Sequence, residues 1–148
     1  MLKIANKENC KDINNLLKEY NLCPMTWEEM DSGVGIVSIE EDKVVGFIWA
    51  LLNKKVAVID YLVVDKNYRK KENCSRSVIV LEMASILLAT LIKRGVTKVI
   101  GILDKTDSCE SMLRFYRDKL GMIERVPFAV VKGNPQEIQR KILEAKNG

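Results

Sequence analysis

The strongest constraint on the fold is a strand, helix, strand pattern in the second half of the chain. The β-branched run VAVIDYLVV (residues 56–64) is followed by an apolar run from Val78 to Ile92 and then by VTKVIGILD (residues 96–104). The middle run is too long for a strand and leads into Lys-Arg-Gly, a typical helix C-terminus. A helix between two strands of one sheet makes a right-handed crossover, so the two strands lie parallel. We therefore expect an α/β protein in which a buried helix joins two parallel strands.

The first half of the chain predicts two helices and an antiparallel meander. CKDINNLLKEYN (residues 10–21) has helical spacing, and Thr26 with Glu29 forms the capping-box pattern at the start of a second helix. Three β-rich runs between Gly33 and Val64 are separated only by EEDK and NKK, which are short enough for hairpins. With LKIA at the N-terminus as the first strand, these runs are strands two, three and four.

The end of the chain predicts a helix, a strand and a last helix. SCESMLRFYRDKLG (residues 108–121) predicts a helix that Gly121 ends, and MIERVPFAVVK (residues 122–132) predicts a strand region interrupted by proline. Asn134 and Pro135 have the types that cap and begin a helix. The whole pattern predicts a mixed α+β fold with a mostly antiparallel sheet of six to seven strands, flanked by helices, in which strands four and five are parallel.

The composition limits the chemistry that the chain can perform. There is no histidine, and the four cysteines form no CxxC pair, which argues against Cys/His zinc sites and triads that need an imidazole base. We expect no metal, and any acid or base must be a carboxylate, Tyr, Lys or Cys. Because there is no signal-type run and no apolar stretch reaches the ~20 residues of a membrane span, we expect a soluble cytoplasmic protein with no membrane partner.

A cationic segment lies between two apolar runs. Residues 65–77 contain five basic and two acidic side chains, so most of the net charge of +4 lies there. Elsewhere basic residues are interleaved with acidic ones, which does not favour a nucleic-acid partner. A solvated surface turn and a weak nucleic-acid site using Arg69 to Arg76 remain alternatives to a site for a small anionic ligand.

Two motifs resemble those of a known family. IDYLVVDKNYR (residues 59–69) has an acidic residue, a Leu and a Val before a polar turn ending in Tyr-Arg, and SMLRFYRDKLGM (residues 111–122) has an aromatic-Tyr pair before a charged turn and Leu-Gly. Together with the order of elements, they resemble the fourth strand and the late helix of the GNAT family of N-acetyltransferases. That resemblance implies that strands four and five splay apart. We expect residues 1–132 to form the GNAT-like domain and residues 133–148 a C-terminal helix packed on it or on a partner.

The resemblance implies acetyl-CoA as cosubstrate, with its pantetheine arm beside strand four and its pyrophosphate on the next loop and helix N-terminus. Backbone N–H groups freed by a strand bulge would contact the thioester and the pantetheine. The family's loop is glycine-rich, whereas this chain has no glycine between Gly46 and Gly95. Basic side chains would have to compensate, with Asn73 and Ser75 where glycines would stand. The residues expected to bind the cosubstrate are Leu62, Val63, Val64, Arg69, Lys70, Lys71, Asn73, Cys74, Ser75 and Arg76.

The resemblance also implies direct attack of a primary amine on the thioester. Tyr116 resembles the residue that protonates the CoA thiolate, and Asp60 stands where many members carry a carboxylate that accepts the amine's proton. The acceptor would lie near Trp27, Glu28 and Glu29, whose charges suit a cationic amine.

Several alternatives stay open. Tyr116 can be only a core residue, and Asp60 can point to solvent by strand alternation. The altered loop also fits a GNAT-fold protein that has lost catalysis and serves as a binding or structural module. The sequence leaves open the acceptor, the acyl chain and whether the protein is a homodimer.

Overall fold

The computed structural model describes residues 1–68, 76–101, 113–119, 121–122 and 135–147. Within these residues the chain forms one five-stranded sheet with helices on both faces. No helix of the described part is long and apolar enough to cross a membrane.

The sheet has the predicted meander and crossover. Its strands lie in the order of the sequence, and the first four pair antiparallel with their neighbours, while the fourth and fifth are parallel. The predicted sixth strand, in residues 122–132, lies almost entirely outside the described residues. The strands are β1 (Leu2–Ile4), β2 (Gly33–Glu40), β3 (Lys43–Asn53), β4 (Val56–Val64) and β5 (Lys98–Gly101).

The helices follow the predicted order, and the local signals behave as expected. At the second helix, the Thr26 side chain accepts a hydrogen bond from the Glu29 N–H at 3.2 Å, and Glu29 accepts one from the Thr26 N–H at 2.7 Å. Gly95 ends the long helix with a φ of +79°, a value that glycine adopts easily. The helices are α1 (Cys10–Lys18), α2 (Trp27–Asp31), α3 (Arg76–Lys93) and α4 (Pro135–Asn147).

The late helix is only partly described, and it differs from the α-helix expected. Phe115–Lys119 form a π-helical turn, a local widening that often occurs at functional sites. Gly121 ends it as predicted, with a φ of +62°, and the Met122 N–H donates to the Tyr116 carbonyl at 3.0 Å. The expected domain boundary after residue 132 lies outside the described residues.

Both faces of the sheet are covered. On one face α3 buries Met83 and Leu87 completely against Ile36 and Ile48 of the sheet. On the other face α1 and α2 pack on residues such as Phe47. The central strands are therefore apolar on both faces, and polar chemistry is confined to strand ends, edges and irregularities.

Candidate active site

The described pairing of β4 with β5 covers only part of the length of β4. The two strands stay paired as far as Ile59 and Gly101, whereas β4 continues to Val64. Within the described residues, no strand pairs with β4 on that side beyond Ile59. We call this side of residues 60–64 the open edge of β4.

A β-bulge lies where the open edge begins. Ile59 and Tyr61 face consecutive residues of β3, so Asp60 between them is the extra residue. Ile59 and Leu62 both pack on the α3 face of the sheet, while Tyr61 packs on the α1 and α2 face. The bulge therefore leaves the exposed Asp60 beside Tyr61, directly after the last described pair of β4 and β5.

Alternation along β4 decides which backbone groups face the open edge. The Asp65 N–H donates to the Val45 carbonyl of the neighbouring chain segment at 2.8 Å. Backbone groups alternate sides along an antiparallel strand, so Val63 also faces β3, whereas Leu62 and Val64 face the open edge. Of the three N–H groups that the sequence analysis assigned to the thioester and pantetheine, two are thus directed there.

A side chain from the turn after α1 reaches the open edge, a contact that the sequence did not predict. The Tyr20 hydroxyl donates a hydrogen bond to the Val64 carbonyl. Lys66 donates from Nζ to the Glu19 carbonyl at 2.7 Å, and the same nitrogen lies 4.7 Å from the centroid of the Tyr20 ring. The sequence showed Tyr20 only as part of the apolar face of a helix, so no signal pointed to this contact.

Tyr116 lies next to the last described pair of β4 and β5. Its side chain is 6% exposed, and a Cβ on Gly101 would lie 3.3 Å from its ring, so the ring rests against the end of β5. Burial raises the pKa of Tyr116 to about 12, which keeps its hydroxyl protonated at neutral pH. Tyr116 is a core residue by burial, and it is also beside the open edge.

Asp65 fixes the turn that follows β4. Its side chain is 2% exposed and accepts hydrogen bonds from Lys43 Nζ at 2.5 Å and from the N–H groups of Asn67 and Tyr68 at 2.7 and 3.1 Å. Burial by itself would raise the pKa of Asp65, but these hydrogen bonds and the Lys43 charge hold the pKa below its usual value. The sequence analysis counted Asp65 only as one acidic residue of the cationic segment.

Tyr61, the neighbour of Asp60 in β4, contacts the segment between α1 and α2. Its hydroxyl donates to the Cys23 carbonyl at 3.4 Å. Burial raises the pKa of Tyr61, and the charges of Asp60, Cys23 and Glu29 raise it further. The structure therefore brings Asp60 and Glu29 near one phenol, which the sequence analysis did not single out.

The three residues expected near the acceptor differ in their burial and in the contacts that they already make. Trp27 is half-buried against the α1 and α2 face, and Glu28 is exposed. One carboxylate oxygen of Glu29 serves the capping box with Thr26. Glu29 therefore has a structural role at the start of α2 in addition to its charge.

Most of the cationic segment lies outside the described residues. Arg76 is the first residue of α3, but its side chain lies outside the described part of the structure. The predicted ligands that the structure does not describe are Arg69, Lys70, Lys71, Asn73, Cys74 and Ser75.

A search of the described residues finds no group of three or more His, Cys, Asp or Glu side chains that could hold a metal ion. The groups beside the open edge are a phenol, a carboxylate and backbone amides. Such groups can bind an extended chain by main-chain hydrogen bonds and can move protons.

The sequence matches the model of the Acetyltransferase (GNAT) family over residues 7–122. No protein of curated function matches the chain significantly in sequence.

Several solved structures share the fold. An acetyltransferase from Trypanosoma brucei superposes with a TM-score of 0.65 at 19% identity, covering 90% of this chain and 99% of that one. The aminoglycoside N-acetyltransferase AAC(6')-Iy in complex with CoA gives 0.66 at 15% identity, covering 90% and 100%. A ribosomal-protein-alanine N-acetyltransferase from Brucella melitensis gives 0.67 at 12% identity, covering 90% and 99%.

Proposed function

Because the chain belongs to the acetyltransferase (GNAT) family, we propose that it is an acetyl-CoA-dependent N-acetyltransferase that acylates a primary amine of a small molecule or peptide. The observation that carries the proposal is the open edge of β4, with Tyr116 against the end of β5 beside it. Residues 1–132 would form the catalytic domain, and residues 133–148 would add a C-terminal helix to it or to a partner.

The open edge of β4 fits the pantetheine arm of acetyl-CoA. An extended chain with amide groups can pair with an exposed strand edge through main-chain hydrogen bonds. The backbone groups of Leu62 and Val64 face that edge, whereas those of Val63 face β3 and hold the strand in place. The pyrophosphate would be held by the basic side chains Arg69, Lys70, Lys71 and Arg76, with Asn73, Cys74 and Ser75 supplying backbone groups before the N-terminus of α3.

The residues around the open edge account for the two proton movements of the reaction. When bound, acetyl-CoA supplies an acetyl group activated as a thioester. Asp60, exposed at the bulge, accepts the proton of the amine directly or through water. Tyr116 donates to the thiolate that develops as the amine replaces sulfur. Because a thiol has a pKa near ~8.5 and Tyr116 about 12, complete transfer from Tyr116 is uphill, and its main contribution is a hydrogen bond to that sulfur.

The acceptor is proposed to be a cationic amine. Asp60, Glu28 and Glu29 supply negative charge near the aromatic rings of Trp27 and Tyr61, and ring faces also attract cations. Two of the structures with this fold are named for amine acceptors, an aminoglycoside and the alanine of a ribosomal protein. Polyamines, lysine side chains, aminoglycosides and peptide N-termini are therefore the acceptors to assay first.

Acetyl-CoA is expected to stabilise the protein against heat. A ligand at 100 times its dissociation constant adds about 2.7 kcal/mol, which differential scanning fluorimetry detects as a rise in Tm. Replacing Arg69, Lys70 and Lys71 together with Gln should reduce the shift. The matched control is Lys54→Gln with Lys55→Gln, two exposed lysines at the turn before β4, which should keep it. No shift at millimolar acetyl-CoA would favour the alternative, a GNAT-fold module without catalysis.

Asp60→Asn is expected to slow the reaction mainly at lower pH, where the free amine is protonated. At pH 7 we expect a loss of about 10-fold in kcat/KM, at the modest end of general-base effects because water can replace an exposed base. Above the pKa of the free amine, the kcat/KM of the variant should approach that of the wild type. Asp12→Asn, in the first turn of α1, is the control. A loss of kcat/KM of equal size at every pH would show that another group accepts the proton of the amine.

A further inference from the structure

We propose that Tyr20 is a positioning residue that holds the open edge of β4 in the conformation that receives the pantetheine arm. This inference rests on the proposed function and deepens it, because it adds a residue from the turn after α1 to the cosubstrate site. The structure supports it through three contacts that meet at the end of β4.

The first contact is at the end of the strand itself. The Val64 carbonyl faces the open edge, where the described residues of β5 provide no partner. The Tyr20 hydroxyl donates to this carbonyl across a sequence separation of 44 residues. An extended ligand would pair with the same strand end, whose orientation depends on a contact made by the turn after α1.

The second contact fastens Lys66, two residues further along, to the same turn after α1. Lys66 Nζ donates to the Glu19 carbonyl at 2.7 Å, at the C-terminus of α1, where cations are favourable. The same nitrogen lies over the Tyr20 ring, 4.7 Å from its centroid. Lys66 therefore holds Tyr20 from one side while the hydroxyl of Tyr20 holds Val64.

The third contact fixes the opposite side of the strand end. Asp65 binds Lys43 at 2.5 Å through its side chain and Val45 at 2.8 Å through its N–H. The residues before and after Asp65 are thus bound to the turn after α1, and Asp65 itself is bound to β3. The end of β4 is thus held between that turn and β3.

A strand end that is already fixed binds an extended ligand more tightly, because less conformational freedom is lost on binding. One hydrogen bond contributes roughly a fivefold change in an equilibrium constant. Removing the Tyr20 hydroxyl should therefore raise the Kd of the cosubstrate about fivefold.

The experiment compares Tyr20→Phe with the wild type by isothermal titration calorimetry. Phe keeps the ring under Lys66 and removes only the hydroxyl. The two probes are CoA and S-acetylpantetheine, which lacks the nucleotide and its phosphates and so reports on the open edge. We expect the Kd of both probes to rise about fivefold and the Asp65 amide to exchange its hydrogen faster in NMR experiments, because the strand end opens more often.

Tyr68→Phe is the matched control, since it removes a hydroxyl that donates to the exposed Glu40 at 3.2 Å. It should leave the Kd of both probes unchanged. Unchanged Kd values in Tyr20→Phe would overturn the inference while leaving the proposed function intact, and equal losses in both variants would also overturn it. If the wild type binds neither probe, the inference and the proposed function both fail.

Lys66→Met provides a second route if Tyr20→Phe does not fold. It keeps a long apolar side chain and removes the charge that holds Tyr20. Weaker binding of S-acetylpantetheine supports the inference, because this probe has no phosphate for Lys66 to contact. Weaker binding of CoA alone would assign Lys66 to the phosphates and overturn the inference.

Discussion

Tyr116→Phe is expected to lower kcat about 100-fold and to leave the Kd of acetyl-CoA within about twofold. Loss of one hydrogen-bond donor to a charge that develops in the transition state typically costs about 100-fold or more in kcat. The ring of Phe can still rest against Gly101, where Tyr116 is 6% exposed, so the fold and the cleft should be kept. Stopped assays of acetyl transfer to the most reactive amine, together with calorimetric titration of acetyl-CoA, measure the two quantities.

Two further results would test the assignment of Tyr116. Tyr68→Phe removes a different hydroxyl, one that donates to the exposed Glu40 at 3.2 Å, and should keep nearly full activity. Because the pKa of Tyr116 is about 12, its ionisation should not reduce the rate between pH 8 and 10. If Tyr116→Phe turns over as fast as the wild type, the residue belongs to the core alone.

Asp65→Ala is expected to reduce the free energy of unfolding by about 3 kcal/mol. The substitution leaves the N–H groups of Asn67 and Tyr68 without the buried carboxylate that accepts their hydrogen bonds. It also leaves Lys43 without its ion pair, but Lys43 is 61% exposed and can be solvated. Lys43→Met should therefore cost less, about 1 kcal/mol. Urea denaturation of both variants measures the difference, and the reverse order would show that the turn does not depend on Asp65.

The Asp65 contribution should also depend on pH. The pKa of Asp65 is lower in the folded protein than its usual value, because the hydrogen bonds and the charge of Lys43 outweigh the effect of burial. A lowered carboxyl pKa stabilises the fold at every pH above the unfolded value near ~4, and this is lost as the pH falls through the folded pKa. The stability gap between wild type and Asp65→Ala should therefore shrink on acidification below pH 4. A constant gap would show that the carboxylate charge contributes nothing.

The prediction of the architecture succeeded where the signal was local. The capping box of Thr26 and Glu29, the stop at Gly95 and the short EEDK hairpin each depend on neighbouring residues, and all three are present. Glu41 and Asp42 turn the hairpin with φ values of +45° and +62°, as two-residue hairpins require.

The prediction of the site was less complete because its contacts are not local. The sequence motifs led to Tyr116 and Asp60, and the structure places both near the end of the β4 and β5 pairing. Nothing in the sequence pointed to Tyr20 or to the pairing of Lys43 with Asp65, whose partners are 44 and 22 residues away. The strand alternation that directs Val63 away from the open edge needed the register of β3 and β4.

The sequence alone determined the order of the elements, the meander, the crossover and the absence of imidazole chemistry. These follow from periodicity, turn residues and composition, which act within a few positions of the chain. Only the tertiary structure decided the register of β4 with its neighbours, which of its backbone groups face away from β3 and which side chains meet at its end. Those features arise when distant segments pack together, since burial and hydrogen bonding between them depend on the register of the whole sheet.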